Sequence, residues 1–518
     1  MATFNLSTIL RESRLAHPDK PAVILDEHRL PYTMVDHAAD RVAQALRDNG
    51  IAPGSAVGLM LPNVPQFPIV YFGILRAGCT AVPMNVLLKG PEVRYYLEDS
   101  GARAFFFWGD FAAEAMKGCA ELSDVALRVA VAATPGTAPP DGAEDFMNLV
   151  AAVNPSGDIF PTRPDDTAII LYTSGTTGKP KGALLTHENL LMNAIVGARI
   201  AGVNADDVTL ATLPFFHSFG ASSVMNTAMY AGATLSLLPR FDPVKALQMI
   251  ERDGITVFAG VPTMYIAFLK AHSEGEWNVS SIRIAISGGA ALPEQVLREF
   301  EEKFGAPILE GYGLSETSPS ATFNRPDRPR KVGSIGMPVW GVEVKVVDGE
   351  GNALGNNENG ELCIRGHNVM KGYHDRPDAT AETIDADSWL HTGDIGYRDD
   401  DGYYFIVDRK KELVIRGGFN VYPREIEEVL YSHPAVAEAA VFGTPDATMG
   451  EEVVAAVSLR SGASATDEEL IAYCKERVAA YKYPRRVWVL EALPKGPTGK
   501  ILKLELKAQL VPEEGART

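Results

Sequence analysis

From Thr33 to Leu309, short apolar runs rich in β-branched residues alternate with helical patterns, and this alternation leaves few folds open. Strands without a polar face must be covered on both sides, as helices cover them in α/β sheets. Thr33 is expected to cap a helix whose apolar face is Val35, Ala38, Val42 and Leu46, with Asn49-Gly50 ending it. Residues 55–61 read as a buried strand, 68–77 as a helix and 105–108 as a strand. Residues 132–159, rich in Ala, Pro, Gly and Asp, read as a loose connection. Later strands are expected at 167–172, 209–213, 234–238, 255–258, 282–286 and 307–309. Helices are expected at 186–200, 262–271 and 293–304, and Asp242-Pro243 opens another that ends at Gly254.

Beyond Arg325 the pattern changes. Residues 342–348, 360–365 and 403–408 alternate like antiparallel strands, with Asp-Gly turns at Asp348-Gly349 and Asp401-Gly402. From Lys410 a compact α+β unit follows, with helices at 423–432 and 467–478 and strands at 436–443 and 452–459. The expected class is therefore α/β. A large N-terminal domain of doubly wound sheets would span residues 1–408, including a small β subdomain at about 326–408, before a smaller α+β C-terminal domain at 409–518.

The stretch Tyr172-Thr-Ser-Gly-Thr-Thr-Gly-Lys-Pro-Lys-Gly182 follows one of the buried runs. Its glycines let backbone N–H groups converge, its hydroxyls donate towards the same point, and Lys179 and Lys181 add charge at the edge. Such a loop suits a tetrahedral anion, phosphate above all. It does not fit the Walker spacing, since the second glycine comes too early and Pro180 follows Lys179. A flexible linker has the same composition, but seldom stands between a strand and the helix expected next. Two more strand ends carry glycines, Ser287-Gly-Gly-Ala-Ala291 and Glu310-Gly-Tyr-Gly-Leu-Ser-Glu-Thr317. Together they form the kind of crevice in which α/β proteins hold nucleotides.

A net charge of −18 argues against nucleic acid as a partner, so any polyanion must be held by a local cluster of cations and backbone donors. Cys79, Cys119, Cys363 and Cys474 lack pair spacing and read as reduced thiols of a cytoplasmic protein, with no metal site of their own. No apolar run is long enough to span a membrane, and Arg11 and Glu12 argue against a secretory signal.

Six stretches, in order, resemble the motifs of adenylate-forming enzymes, the superfamily of acyl-CoA synthetases, luciferases and peptide-synthetase adenylation domains. They are residues 172–182, Gly311-Tyr-Gly-Leu-Ser-Glu-Thr317, Thr392-Gly-Asp394, Asp408-Arg-Lys-Lys-Glu412, residues 417–426, and Pro494-Lys-Gly-Pro-Thr-Gly-Lys500. The resemblance implies two half-reactions: a carboxylate attacks the α-phosphate of ATP, releasing pyrophosphate, and the thiol of CoA then displaces AMP. By residue, it implies that Lys500 bridges carboxylate and phosphate, that Glu316 holds Mg²⁺, and that Ser315, where relatives often have threonine, donates to the α-phosphate. Thr173, Ser174, Gly175, Thr176, Thr177, Gly178 and Lys179 would cradle the phosphates. Tyr312, with Gly289 and Gly311, would receive adenine, and Asp394 and Arg409 the ribose. Lys411 would be the hinge of a mobile C-terminal domain that withdraws Lys500 and brings Gly417 and Gly418 to the thiol tunnel.

For the acyl group the resemblance points to Phe216, His217, Met225, Val261, Ser287, Gly288 and Gly313, which include no charged side chain to select a dicarboxylate or an amino acid. The expected acid is a medium- or long-chain fatty acid, because the whole-chain resemblance leans to bacterial fatty acyl-CoA synthetases. A 4-coumarate-type aromatic acid comes second, and a carrier protein is the alternative acceptor to CoA. A homodimer is compatible with this reading, and the oligomeric state stays open.

Overall fold

A computed structural model describes residues 4–511 apart from 135, 174–178, 411, 418, 447 and 497–498. The described N-terminal part is organised around two large sheets. The first runs, edge to edge, Gly372–Tyr373, Lys181–Thr186, Thr167–Thr173, Thr80–Pro83, Ala56–Met60, Ala102–Trp108, Leu127–Val131 and Glu144–Asp145. The second runs Met337–Pro338, Ser320–Phe323, Ile308–Gly313, Ile284–Ser287, Val257–Gly260, Val208–Ala211, Thr234–Leu237, Pro21–Leu25 and His28–Pro31. The central strands of both are parallel, as their two-sided burial requires.

One continuous apolar core joins the sheets, from Val57 and Phe106 through Val42 and Phe72 to Leu210, Leu235 and Phe258. The helices Tyr32–Asp48 and Gln66–Arg76 cross within it at Gly73, where a Cβ would lie 2.5 Å from Val42 Cβ. Arg76 is wholly buried beside them. Its guanidinium donates to Asp36 O at 2.8 Å and Asp40 Oδ1 at 2.7 Å and pairs with the Asp36 carboxylate, so this buried charge is matched.

A third, antiparallel sheet follows, formed by Val342–Val347, Gly360–Gly366, Leu390–Arg398 and Tyr404–Arg409. The C-terminal sheet orders Phe419–Val421, Val414–Arg416, Gly450–Leu459 and Val436–Asp446, with Arg486–Leu490 parallel to Gly450–Leu459. It has its own core, in which Val441, Ala455 and Val457 meet Ile426, Leu430 and Leu470. The chain is thus a mixed α/β protein with a large N-terminal sheet region and a smaller C-terminal one. Among the described residues no helix is long and apolar enough to cross a membrane.

Several elements differ from the sequence reading. Thr33 is not a cap: the helix starts at Tyr32 behind Pro31, and Thr33 Oγ1 donates to Pro18 O at 2.8 Å. The connection at 132–159 contains the short strand Glu144–Asp145 and the helix Phe146–Ala152, whose first turn is capped by Asp145 at 2.8 Å from Asn148 N. The glycine-rich loop does not lead from strand to helix. It joins two antiparallel strands, with Thr173 opposite Lys181, and the helix His187–Ala201 starts only after Thr186 caps it. The short apolar run at residues 182–185 ahead of the capping Thr186 fits strand and helix alike, and cross-strand pairing decides between them. Past Pro214 the chain turns into an eight-residue π-helix, Phe219–Asn226, which continues as Thr227–Ala231.

Candidate active site

The carboxyl ends of Val257–Gly260, Ile284–Ser287 and Ile308–Gly313 lie side by side, so Val261, Gly288-Gly289 and Tyr312-Gly313 emerge on one rim. Gly313 has no space for a side chain, since a Cβ would fall 1.7 Å from Pro319 O. That close approach ends the strand that carries Tyr312, and Ser315 follows on the single 3₁₀ turn Ser315–Thr317.

Tyr312 OH donates to Asp394 Oδ2 at 2.6 Å, and Arg409 Nε faces Asp394 Oδ1 at 3.3 Å. Asp394 and Arg409 are themselves cross-strand partners in the third sheet. Burial raises the Asp394 carboxyl above its ordinary pKa, while Arg409 pulls it down. The result is an acceptor held between a phenol and a guanidinium, bridging the second and third sheets.

Glu316 forms a second junction. Its Oε1 accepts from Thr173 Oγ1 at 3.1 Å and from Tyr373 OH at 3.0 Å, so one carboxylate ties the start of the glycine-rich loop to the rim. Lys181 Nζ stands 5.3 Å from the centre of the Tyr373 ring, and Lys179 Nζ 5.0 Å from that of Tyr95. Ser315 Oγ lies 3.4 Å from Ser218 Oγ. Ser174, Gly175, Thr176, Thr177 and Gly178 lie outside the described residues, as do Lys411 and Gly418. Among the described residues no cluster of three or more His, Cys, Asp or Glu could hold a metal by itself. A cation at Glu316 would therefore share oxygen ligands with a phosphate, the usual habit of Mg²⁺.

Lys500 reaches this rim from the C-terminal region. Beside it, Gly499 N donates to Gly496 O at 2.9 Å and Gly496 N to Lys500 O at 2.8 Å. Gly499 has φ +79° and receives a hydrogen bond on its carbonyl from Thr263 Oγ1 at 2.9 Å. Val261 lies between the loop and the rim: a Cβ on Gly499 would be 3.0 Å from Val261 Cγ2, and one on Gly289 would be 3.4 Å from Cγ1. The charge of Lys500 is felt by both Asp394 and His217. Burial first, and Lys500 second, lower the His217 pKa to about 4, so the ring is neutral at pH 7. Phe219 N donates to His217 Nδ1 at 3.3 Å, which leaves the proton of the neutral ring on Nε2. Gly417 is at the turn between Val414–Arg416 and Phe419–Val421, with its N–H bonded to Met449 O at 2.7 Å.

Below the rim, a narrow cavity of about 30 Å³ lies between the second sheet and the helix His187–Ala201. Its walls include Val196, Ile200, Val224, Val257, Ala259, Ile286 and Phe323, with hydroxyls from Thr209, Ser223, Thr227 and Ser320. None of the seven residues expected around an acyl group is among its lining, although Met225 and Ser287 adjoin Val224 and Ile286 in the chain. Met225 is buried in the main core, Phe216 is half-buried, and Gly288 lies beneath the Phe219 ring, 3.3 Å from where its Cβ would be. Sequence reasoning missed Tyr373, Thr263, Ser218 and Phe219. The first three contribute single hydroxyls from stretches without a motif, and Phe219 was hidden by the unrecognised π-helix.

Comparisons with known proteins converge on one family. The model described as AMP-binding enzyme matches residues 10–374, and that described as AMP-binding enzyme C-terminal domain matches residues 425–500. A long-chain-fatty-acid–CoA ligase of Bacillus subtilis (strain 168) is 36% identical over 97% of this chain and 94% of its own length. The 4-coumarate–CoA ligase 5 of Oryza sativa subsp. japonica is 38% identical over 96% and 93%. Among solved structures, the anthranilate CoA ligase AuaEII in complex with anthranoyl-AMP matches with a TM-score of 0.92 and 30% identity, covering 98% of this chain and 97% of that one. ATP-bound MatB from Rhodopseudomonas palustris matches at 0.89 and 32%, covering 98% and 99%.

Proposed function

This chain belongs to the AMP-binding enzymes and is an acyl-CoA synthetase; from that premise we propose an aliphatic acid as its substrate and a role for each residue of the rim. The reaction joins a carboxylic acid to CoA in two steps. The carboxylate oxygen attacks the α-phosphorus of ATP, the bond to the β-phosphate breaks, and acyl-AMP and pyrophosphate result. The thiol sulfur then attacks the acyl carbon, its proton goes to solvent, and AMP departs.

The first step brings two anions together, so it needs positive charge where they meet. Lys500 supplies it, and what supports this reading is the bond from Thr263 to Gly499, which docks the loop beside Val261 and Gly289. Asp394 and Arg409 receive the ribose hydroxyls, and the Tyr312 ring stacks on adenine. Ser315 donates to the α-phosphate, with Thr173, Lys179 and the adjoining loop on the others. Glu316, with the hydroxyls of Thr173 and Tyr373 beside it, would hold Mg²⁺, which would supply positive charge to offset that of the leaving pyrophosphate. Neutral His217 shapes the passage for the acyl group and thiol and takes no proton. For the second step the unit from residue 409 onwards swings about Lys411, withdraws Lys500 and brings Gly417-Gly418 forward. The four cysteines are buried and unpaired, which fits a cytoplasmic enzyme.

The acid is a medium- or long-chain fatty acid. What supports this choice is that Phe216, Met225, Val261, Ser287, Gly288 and Gly313 include no arginine or acidic residue, together with the likeness to the Bacillus subtilis long-chain-fatty-acid–CoA ligase. A panel of octanoate, decanoate, palmitate and 4-coumarate, each with ATP and either CoA or a holo-carrier protein, tests it. Aliphatic acids should exceed 4-coumarate in kcat/KM by about tenfold or more, the factor that 1.4 kcal/mol confers. Preference for 4-coumarate, or thioester formation on the carrier alone, would overturn the assignment.

A further inference from the structure

Asp99 ends the helix Gly90–Asp99 and lies outside the six stretches that resemble known motifs, yet it holds the root of the glycine-rich loop. Tyr172 OH donates to Asp99 Oδ2 at 2.8 Å, and Arg376 Nη2 donates to Asp99 Oδ1 at 2.6 Å. Both carboxylate oxygens are thus engaged, in a side chain only 11% exposed. Burial first, and the bond to Asp99 next, raise the Tyr172 pKa, so the phenol stays a donor. The same helix reaches the other end of the loop. Tyr95 OH donates to Pro180 O at 2.8 Å, Lys179 Nζ stands over the Tyr95 ring, and Tyr96 stacks on Tyr172 with ring centres 4.3 Å apart. Asp99 lies four residues from Tyr95 and three from Tyr96, the spacings that share a helix face.

Asp99 and Glu316 take matched partners from the same two stretches. Glu316 accepts from Thr173 and Tyr373. Asp99 accepts from Tyr172, the residue before Thr173, and from Arg376, whose N–H closes a turn on Tyr373 O at 3.2 Å. Successive residues of a strand face opposite sides, so Thr173 meets Glu316 while Tyr172 meets Asp99. A displaced Tyr172 would carry Thr173 with it and disturb the oxygens around Glu316.

Resting on the ligase reading, we infer that Asp99 is a positioning residue for ATP: acting through Tyr172 and Arg376, it keeps Thr173 in register with Glu316. The test measures pyrophosphate release against ATP concentration, with the acid of the panel that the parent uses best, in Asp99→Ala, Asp99→Asn and Tyr172→Phe. In Asp99→Ala, kcat/KM for ATP should fall about tenfold, chiefly through KM. The loss should be smaller in Asp99→Asn, whose amide oxygen still accepts one bond, and in Tyr172→Phe, whose ring still stacks. Thioester formation from supplied acyl-AMP should stay within about twofold of the parent, which a general loss of folded enzyme would not allow. Adding Tyr172→Phe to Asp99→Ala should cost little more, because both changes remove the same bond. Parent-like ATP dependence in Asp99→Ala, or equal losses in both half-reactions, would overturn the inference while the ligase reading stands. Should Asp99→Ala fail to fold, an unchanged KM for ATP in both Asp99→Asn and Tyr172→Phe would overturn it. No pyrophosphate release by the parent with any acid would remove the ligase reading itself, and this inference with it.

Discussion

At Asp394 a single carboxylate answers to a phenol on one side and a guanidinium on the other. Asp394→Asn removes the charge facing Arg409 while keeping the size, so kcat/KM for ATP should fall by about tenfold to a hundredfold, as expected for a charge-assisted contact. Tyr312→Phe keeps the ring and loses one hydrogen bond, which should cost less than about tenfold. The ATP dependence of pyrophosphate release measures both; a Tyr312→Phe defect larger than that of Asp394→Asn would contradict the ribose assignment. The family resemblance named Tyr312, Asp394 and Arg409 from separate stretches, and the structure brings the three into contact. Thr263 was not legible in the sequence, because a lone hydroxyl in an apolar helix does not reveal that its partner is Gly499, more than two hundred residues away.

Among the elements, the docking of Lys500 depends on Gly499. Its φ of +79° disfavours any side chain, and a Cβ would lie 2.8 Å from Thr263 Oγ1. Gly499→Ala should therefore slow adenylation at least about tenfold while leaving thioester formation from supplied acyl-AMP nearly unchanged, because the lysine turn is used only in the first step. Equal loss in both half-reactions would mean the loop serves the fold instead. Another element carries a pH signature. At the start of the helix His187–Ala201, buried His187 accepts Leu6 N on Nδ1 at 3.1 Å and so holds the N-terminal segment. Burial lowers its pKa from 6.5 to about 4. The unfolded chain binds a proton near 6.5 that the folded chain refuses until about 4, so stability falls as pH drops through that window, by up to about 3 kcal/mol. His187→Asn keeps an acceptor without the titration, and thermal melts at pH 7 and pH 5 should differ less in the variant than in the parent. Helices with strong caps, such as Pro243–Asp253 behind Asp242 and before Gly254, were legible to the residue. The antiparallel strand after the glycine-rich loop and the π-helix were not, because pairing across space and a widened helical turn leave no periodicity to read.

Across the whole molecule, the N-terminal and C-terminal regions bury separate apolar clusters, and a few polar contacts join the C-terminal region to the rest. Arg424 Nη1 donates to Ile406 O at 2.7 Å and Arg424 N to Asp408 Oδ2 at 3.2 Å, Arg460 lies 4.0 Å from Glu299, and Thr263 holds Gly499. Contacts of this kind can be exchanged for others at small cost, whereas the apolar cores on either side cannot. That asymmetry fits the proposed movement of the C-terminal unit between half-reactions, and the change of sheet type beyond Arg325 was readable in the alternating strand pattern. The central claim is that the lid brings the Lys500 ammonium to the point where carboxylate meets α-phosphate. Single-turnover kinetics of Lys500→Ala, with the two half-reactions measured apart, test it most directly. Acyl-AMP formation should slow by at least about a hundredfold while transfer from supplied acyl-AMP to CoA stays close to the parent rate; acyl-AMP formation at the parent rate would contradict the account.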